Sequence, residues 1–210
     1  VNILQSLQHD NIIRIHKHFV DEYNKGVIEF KYYEDGDLLS FINKHVRKKN
    51  STFSNNKKIS LFKQIINPLI YCHSKNIIHG DIKPDNILLH NNVPIIIDFG
   101  LSIHDVHFNN TLIKNPTIYF GQQGSRGYIA PEVYDNYIGP CSDVFSLGVL
   151  LYNLFTNEMP QYKNNTFELS IDTISSNNIP FKIDTLLHDM LEQNFEERPT
   201  LKDIYYEYSL

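Results

Sequence analysis

The chain is poor in cysteine and in long apolar runs, and each shortage argues against a class of protein. Cys72 and Cys141 are the only cysteines among 210 residues, and they lie far apart without the spacing of a zinc site. They indicate a protein of a reducing intracellular compartment rather than a disulfide framework. The longest apolar stretch, around residues 144–155, contains Ser146 and Asn153 and is too short to cross a bilayer.

An excess of positive charge is also absent. The formal net charge is −5 at pH 7, which argues against nucleic acid or a membrane surface as the partner. No signal-peptide pattern opens the chain. We therefore expect a cytoplasmic protein, and a nuclear location stays open. The length of 210 residues suffices for one large domain or two small lobes that bury roughly 70% of the unfolded surface.

What the sequence does contain is a polar turn between two short apolar runs. Residues 87–89 and 95–97 are apolar, and Asn91-Asn92 between them tolerates positive φ, so we predict a β-hairpin. A hairpin centred near residue 92 places Asn86 opposite Asp98, with Cα atoms roughly 4.5–5.5 Å apart. An amide oxygen beside a carboxylate is a suitable pair of ligands for Mg²⁺. Asp81 lies five residues before Asn86, in the loop that leads to the same end of the hairpin.

The stretch 78–89, followed by Asp98-Phe99-Gly100, resembles the catalytic centre of eukaryotic-type protein kinases. The resemblance implies that Asp81 accepts the proton of the substrate hydroxyl and that Lys83 contacts the transferred phosphate. It implies that Asn86 and Asp98 hold magnesium and that the cofactors are ATP and Mg²⁺. Lys83-Pro84 after the loop aspartate resembles Ser/Thr kinases rather than Tyr kinases, so the expected partner is a protein substrate with a Ser or Thr acceptor. A regulatory protein partner is left open.

The first thirty-seven residues resemble the end of a kinase small lobe and its hinge. Residues 1–8 have helical spacing, and residues 12–20 and 26–30 are predicted strands joined by a turn. The resemblance makes Phe30 the residue that guards the back of the nucleotide pocket, and Asp37 a ribose contact. Altogether it assigns nucleotide binding to Phe30, Lys31, Tyr32, Tyr33, Asp37, Lys83, Asn86, Leu88 and Asp98. The Gly-rich phosphate loop, the strand lysine and the helix glutamate of the family are absent from these 210 residues. The chain begins with Val1 in mid-pattern, so we expect a fragment.

Helical periodicity over residues 56–74 predicts a buried helix, with Pro68 inside it as a candidate kink. This helix leads to His79, which the resemblance places in a packed column with Leu4, Ile15 and Phe99. Gly80 stands where the family commonly has an arginine that grips a phosphate on the activation segment. We therefore hypothesise that phosphorylation of Thr111, Thr117 or Tyr119 exerts little control.

The second half of the chain resembles the substrate-docking part of protein kinases. Residues 98–132 show little periodicity and are predicted to form a long loop. Within it, residues 124–132 resemble the peptide-docking loop, where Ser125 takes the place of the usual threonine and can bond Asp81 and Lys83. The apolar run 144–151 predicts a buried helix, with Ser142 as a candidate N-cap. The resemblance further implies that Asp143 braces the catalytic loop and that Glu132 and Arg198 form a buried pair.

The predicted fold is therefore α+β and kinase-like, with a mostly helical large lobe and a truncated small lobe. We divide the chain into a small-lobe remnant (1–30), a hinge (31–37) and a large lobe (38–210). Two alternatives to a Ser/Thr kinase stay open. One is a kinase-like scaffold without catalysis, because the amino-terminal catalytic parts are missing. The other is a small-molecule phosphotransferase, because residues 79–86 also resemble the loop of aminoglycoside and choline kinases.

Overall fold

The structure is a computed structural model that describes residues 1–45, 53–105, 112–114, 124–163, 166–168 and 179–208. Thr111, Thr117 and Tyr119 lie outside the described residues. The α-helices described are α1 (Asn2–Ser6), α2 (Leu38–His45), α3 (Asn55–Ser74), α4 (Pro131–Tyr134), α5 (Pro140–Thr156), α6 (Phe181–Met190) and α7 (Leu201–Tyr206). The strands described are β1 (Ile15–Val20), β2 (Gly26–Phe30), β3 (Ile77–Ile78), β4 (Ile87–His90), β5 (Val93–Ile96), β6 (Ile103–His104), β7 (Ile113–Lys114), β8 (Tyr137–Ile138), β9 (Gln161–Lys163) and β10 (Thr166–Glu168). The strands pair as antiparallel two-stranded sheets, β1 with β2, β3 with β6, β4 with β5, β7 with β8 and β9 with β10.

Helix α5 is the centre of the main hydrophobic core. Every residue from 142 to 156 is buried, as expected for a helix that is apolar nearly all round. A Cβ added at Gly148 would lie 3.0 Å from side-chain atoms of Met190 and Leu191, so this glycine lets the end of α6 approach closely. The prediction that Ser142 caps the helix is wrong. Gly139 is the N-cap, and Ser142 stands in the first turn, where its Oγ accepts a hydrogen bond of 3.1 Å from Gly139 N.

Helix α3 confirms the helix predicted over residues 56–74. It begins after Ser54, whose Oγ accepts a hydrogen bond from Lys57 N, and continues through Pro68 without a break in the helix. Its apolar stripe joins the same core as α5. Among the described residues, no helix combines the length and the apolar character that a membrane crossing needs.

The amino-terminal part forms a second, smaller apolar cluster. Leu4, Leu7, Ile12 and Ile13 pack there against residues of α3 and β5. The predicted strand 12–20 begins only at Ile15, because Ile12 instead makes an isolated parallel bridge to Ile96. The second predicted strand, 26–30, is confirmed as β2. Side chains of β1 and β2 are mostly exposed, so this hairpin adds little to either core.

Candidate active site

The predicted hairpin is present, but its register differs from the prediction by one residue. Ile87 pairs with Ile96 and His90 with Val93, so the turn consists of Asn91 and Asn92 alone, with φ of 54° and 63°. The centre of a two-residue turn falls between its two residues, not on the second. Asn86 therefore faces Ile97, whose N–H donates to the Asn86 carbonyl at 3.0 Å. The prediction that Asn86 faces Asp98 is wrong.

Asn86 is fixed by Asp81 instead. Its Nδ2 donates to the Asp81 carbonyl oxygen at 2.8 Å and to Asp81 Oδ2 at 2.9 Å. Both protons of the amide are thereby used, and the side chain is buried. The amide oxygen is then the atom that faces away from Asp81. Turning the amide over would put its oxygen against two acceptors, so the surroundings dictate its orientation.

The two carboxylate oxygens of Asp81 differ in their hydrogen-bond partners. Lys83 Nζ lies 3.0 Å from Oδ2, the same oxygen that Asn86 contacts, and also donates to Ser125 Oγ at 2.5 Å. The predicted contact of Ser125 with Lys83 is thus confirmed, whereas the described residues show no hydrogen bond between Ser125 and the Asp81 carboxylate. Asp81 is only 8% exposed, and its Oδ1 has no hydrogen-bond partner within the described part of the chain. A buried carboxylate oxygen without a donor is costly, and such an atom at the centre of a polar cluster is a candidate for binding a substrate proton.

Asp98 lies two residues after the end of β5. It has a left-handed backbone with φ of 59°, and its Oδ1 accepts a hydrogen bond of 3.2 Å from Gly100 N. Complete burial lowers the pKa of His79, while the charges of Asp143, Asp81 and Asp98 and the Ile97 carbonyl oppose that shift. Burial thus outweighs the neighbouring negative charges, and the pKa of His79 lies below its usual value.

The ligand atoms available here fit Mg²⁺ only as a metal that arrives with phosphate oxygens. The described residues contain no group of three or more His, Cys, Asp or Glu side chains that could hold a metal alone. Mg²⁺ in nucleotide sites needs one or two protein oxygens and takes its remaining ligands from phosphates and water. The Asn86 amide oxygen, which its hydrogen bonds leave outward, and the Asp98 carboxylate are of that kind.

Asp143 holds the backbone of the catalytic loop, as the resemblance implied. Its carboxylate accepts hydrogen bonds of 2.9 Å from both His79 N and Gly80 N. Burial alone would raise the pKa of Asp143, but hydrogen bonds from His73 and from Gly80 N, with the nearby His79, bring it below the usual value. Gly80 has a φ of +78°, a conformation that a side chain opposes.

His73 is a contact that the sequence reasoning missed. Its Nε2 lies 2.8 Å from Asp143 Oδ2. The available signal was indirect, since an aspartate predicted at the start of a buried helix needs partners and His73 lies in the last turn of the helix that leads to the catalytic loop.

The predicted packing column and the predicted ion pair are both present. The His79 and Phe99 rings meet edge to face at 4.8 Å between centroids, and Phe99 packs on the cluster that contains Leu4 and Ile15. Arg198 Nη1 and Nη2 donate to the two Glu132 oxygens at 2.8 and 2.9 Å. Both side chains are buried.

The predicted hinge residues lie along the chain from β2 to α2 and on β4. Phe30 and Tyr32 are 41% and 81% exposed, and the Tyr33 ring packs edge-on against His90. Asp37 Oδ1 accepts a hydrogen bond of 2.7 Å from Ser40 N at the start of α2. Leu88 makes an isolated bridge with Asp37, and Lys31 Nζ lies 5.5 Å from the centre of the Tyr33 ring. Their assignment to nucleotide binding stays a prediction.

Comparison with known proteins gives the same family along the chain. A family model described as the protein kinase domain matches residues 1–208. The chain is 33% identical over 211 residues to NUAK family SNF1-like kinase 1 of Mus musculus, which covers 97% of this chain and 30% of the relative. It is 32% identical to the probable serine/threonine-protein kinase MARK-A of Dictyostelium discoideum (97% of this chain, 19% of the relative). It is also 32% identical to CBL-interacting protein kinase 1 of Oryza sativa subsp. japonica (95% and 42%). The chain thus spans less than half the length of each of these relatives.

Proposed function

Because this chain belongs to the protein kinase family, we propose that it is the catalytic part of a Ser/Thr kinase that transfers the γ-phosphoryl group of ATP to a protein hydroxyl. The observation that carries the proposal is the state of Asp81. One of its oxygens is held by Asn86 and Lys83, and the other is buried without a hydrogen-bond partner among the described residues. A carboxylate held at one oxygen, with an acceptor left at the other, suits a group that orients and deprotonates a hydroxyl.

The other roles follow from the same cluster. Lys83 steadies the γ-phosphate, and its present contact with Ser125 keeps the ammonium beside the docking loop. Asn86 and Asp98 would hold Mg²⁺, which would neutralise phosphate charge. Asp143 keeps the loop backbone in place through His79 and Gly80. Phosphoryl transfer relies on positioning and charge stabilisation rather than on covalent chemistry by the protein, and these contacts supply positioning.

The choice of a protein rather than a small molecule as substrate is supported by the segment after residue 124. That segment is tied to Lys83 through Ser125 and to Arg198 through Glu132. A loop fastened at both ends beside Asp81 is suited to docking an extended peptide. A cytoplasmic location and the nucleotide contacts of the hinge residues belong to the same proposal.

The test uses the full-length protein that carries this chain, with ATP, Mg²⁺ and a library of Ser- and Thr-containing peptides. We expect Asp81→Asn to lower the phosphorylation rate by at least about 10²-fold without loss of folding. Asp10→Asn, a change at an exposed side chain that pairs with Arg14, is the matched control and should keep full activity. A wild-type protein that is inactive would favour the scaffold alternative. Phosphorylation of small hydroxyl compounds but not peptides would favour a small-molecule phosphotransferase.

A further inference from the structure

Helix α5 contacts two loops of the candidate site through two side chains on one face. Asp143 and Ser146 are three residues apart and therefore lie on the same side of the helix. Asp143 binds the catalytic loop at His79 N and Gly80 N. Ser146 Oγ donates to the Tyr128 carbonyl oxygen at 2.7 Å, within residues 124–130, the part of the docking loop that precedes α4. One rigid element thus touches both the loop that bears Asp81 and the loop expected to receive a peptide.

The hydroxyl of Ser146 has a competing acceptor. The carbonyl of Ser142, one turn earlier in α5, lies 3.1 Å away. A serine inside a helix commonly bonds that carbonyl, with a purely local effect. The shorter distance to Tyr128 indicates that the single hydroxyl proton is directed mainly at the docking loop.

The docking loop needs such a tether because its own backbone is permissive. Gly124 and Gly127 have φ of +108° and +88°, and a turn bonds Tyr128 N to the Ser125 carbonyl at 2.9 Å. Ser125 is held at one side by Lys83. Ser146 holds the other side, across the turn.

The contact with Ser146 is sheltered from solvent. A cavity of about 10 Å³ lies between the two loops and α5, and its lining includes Asp81, Ser125, Tyr128, Asp143 and Ser146. This space holds at most about one water molecule. Removing the Ser146 hydroxyl therefore takes this donor away from the Tyr128 carbonyl, and at most about one water molecule could take its place.

We propose that Ser146 is a positioning residue for peptide docking, which fixes the 124–130 loop at a set distance from Asp81. Asp143 sets the catalytic loop from the same helix face, so the spacing of the two loops is built into α5. This inference rests on the proposed kinase function for its consequence, but not for the tether itself.

The experiment compares Ser146→Ala with Thr156→Val in the full-length protein. Thr156 is also buried in α5, and its Oγ1 lies 2.8 Å from the Tyr152 carbonyl and 3.4 Å from that of Glu158, both outside the docking loop. Hydrogen–deuterium exchange over residues 124–130 is the first readout. The second is the pair KM and kcat for a peptide, with ATP hydrolysis in the absence of peptide as reference.

We expect Ser146→Ala to speed exchange in residues 124–130 and to raise the peptide KM, each by roughly 3- to 10-fold, the worth of one hydrogen bond. Peptide kcat and peptide-independent ATP hydrolysis should stay within about twofold, since the groups around Asp81 are untouched. Thr156→Val should change neither exchange in the loop nor the peptide KM. If Ser146→Ala does not fold, Ser146→Cys takes its place. It keeps a side chain of similar size with only a weak donor, and should show the same faster exchange and raised peptide KM.

Unchanged exchange in residues 124–130, or equal acceleration in Ser146→Ala and Thr156→Val, would overturn the tether. Faster exchange with an unchanged peptide KM would overturn the role in docking. A wild-type protein that phosphorylates no peptide would instead contradict the proposed function. The exchange data would then still decide whether Ser146 holds the loop.

Discussion

The buried pair between Glu132 and Arg198 allows the sharpest prediction about stability. The Arg198 side chain is 0% exposed and that of Glu132 is 5% exposed, and their contact is bidentate. Arg198 also donates to the carbonyl of Cys141 at 3.0 Å and to that of Glu192 at 2.7 Å. Each charge is therefore compensated mainly by the other, and Arg198 has carbonyl oxygens as further partners.

The two halves of this pair should not be equivalent. Arg198→Met leaves Glu132 with two donors, the Ser142 hydroxyl at 2.7 Å and the more distant Cys141 thiol. The buried carboxylate would then have no positive charge to compensate it. We expect a loss of roughly 3–5 kcal/mol in the free energy of unfolding. Glu132→Gln keeps a neutral acceptor for Arg198, whose carbonyl contacts also persist, and should cost less.

The assay is hydrogen exchange of α5 amides in increasing urea, which reports on the opening of this domain within the full-length protein. Arg14→Met is the matched control, because Arg14 pairs with Asp10 at 3.0 Å while both are largely exposed. That change should lie within about 0.5 kcal/mol of wild type. The double variant Arg198→Met with Glu132→Leu should recover part of the loss, because no buried charge remains.

A loss below about 1 kcal/mol for Arg198→Met would refute this reasoning. So would additivity, in which adding Glu132→Leu to Arg198→Met lowers the free energy of unfolding by as much as Glu132→Leu does alone. The first result would mean that the pair contributes no more than a surface ion pair. The second would mean that the two side chains are not energetically coupled.

Three further predictions concern protonation, turn geometry and regulation. Burial lowers the pKa of both His9 and His79 from 6.5, so the unfolded chain binds more protons than the folded chain in acid. The free energy of unfolding should therefore be highest above pH 6.5 and fall progressively below it. Urea midpoints measured at pH 5–8 will show this. Asn92→Ala, at φ +63°, should destabilise the hairpin by about 1 kcal/mol in the same assay, whereas an unchanged midpoint would contradict the left-handed turn. The resemblance places Gly80 where the family commonly has an arginine that grips a phosphate. We therefore expect non-phosphorylatable substitutions at Thr111, Thr117 and Tyr119 to leave the proposed kinase activity intact. A large loss of activity would refute this.

The elements of the fold could be predicted from local patterns because those patterns act over short range. The apolar spacing over 56–74 indicates a helix buried along one face, and the apolar run in α5 indicates a helix buried all round. The hairpin register could not be predicted as well, since shifting the turn by half a residue changes every partner. Counting from the turn centre needs the turn type, and the sequence Asn91-Asn92 leaves that open.

In the candidate site, too, residues close in sequence could be predicted and partners distant in sequence could not. Asp81, Lys83 and Asn86 stand close in sequence, and the structure brings them together. The partners of Asp143 are distant: His73 is 70 residues away. A buried carboxylate predicts that donors exist, but only the packing of α3 on α5 decides which ones.

The choice of asparagine at sharp turns has a consequence for the unfolded chain. Among the described residues, those with left-handed backbones that are not glycine are Asn24, Asn76, Asn91, Asn92, Asp98, Asn136 and Asn157. Asparagine tolerates this conformation while sampling fewer others than glycine does. Folding therefore costs less conformational entropy at these turns than it would in a chain with glycine there. Swapping them for glycine would ease each bend locally yet widen the ensemble from which the protein must fold.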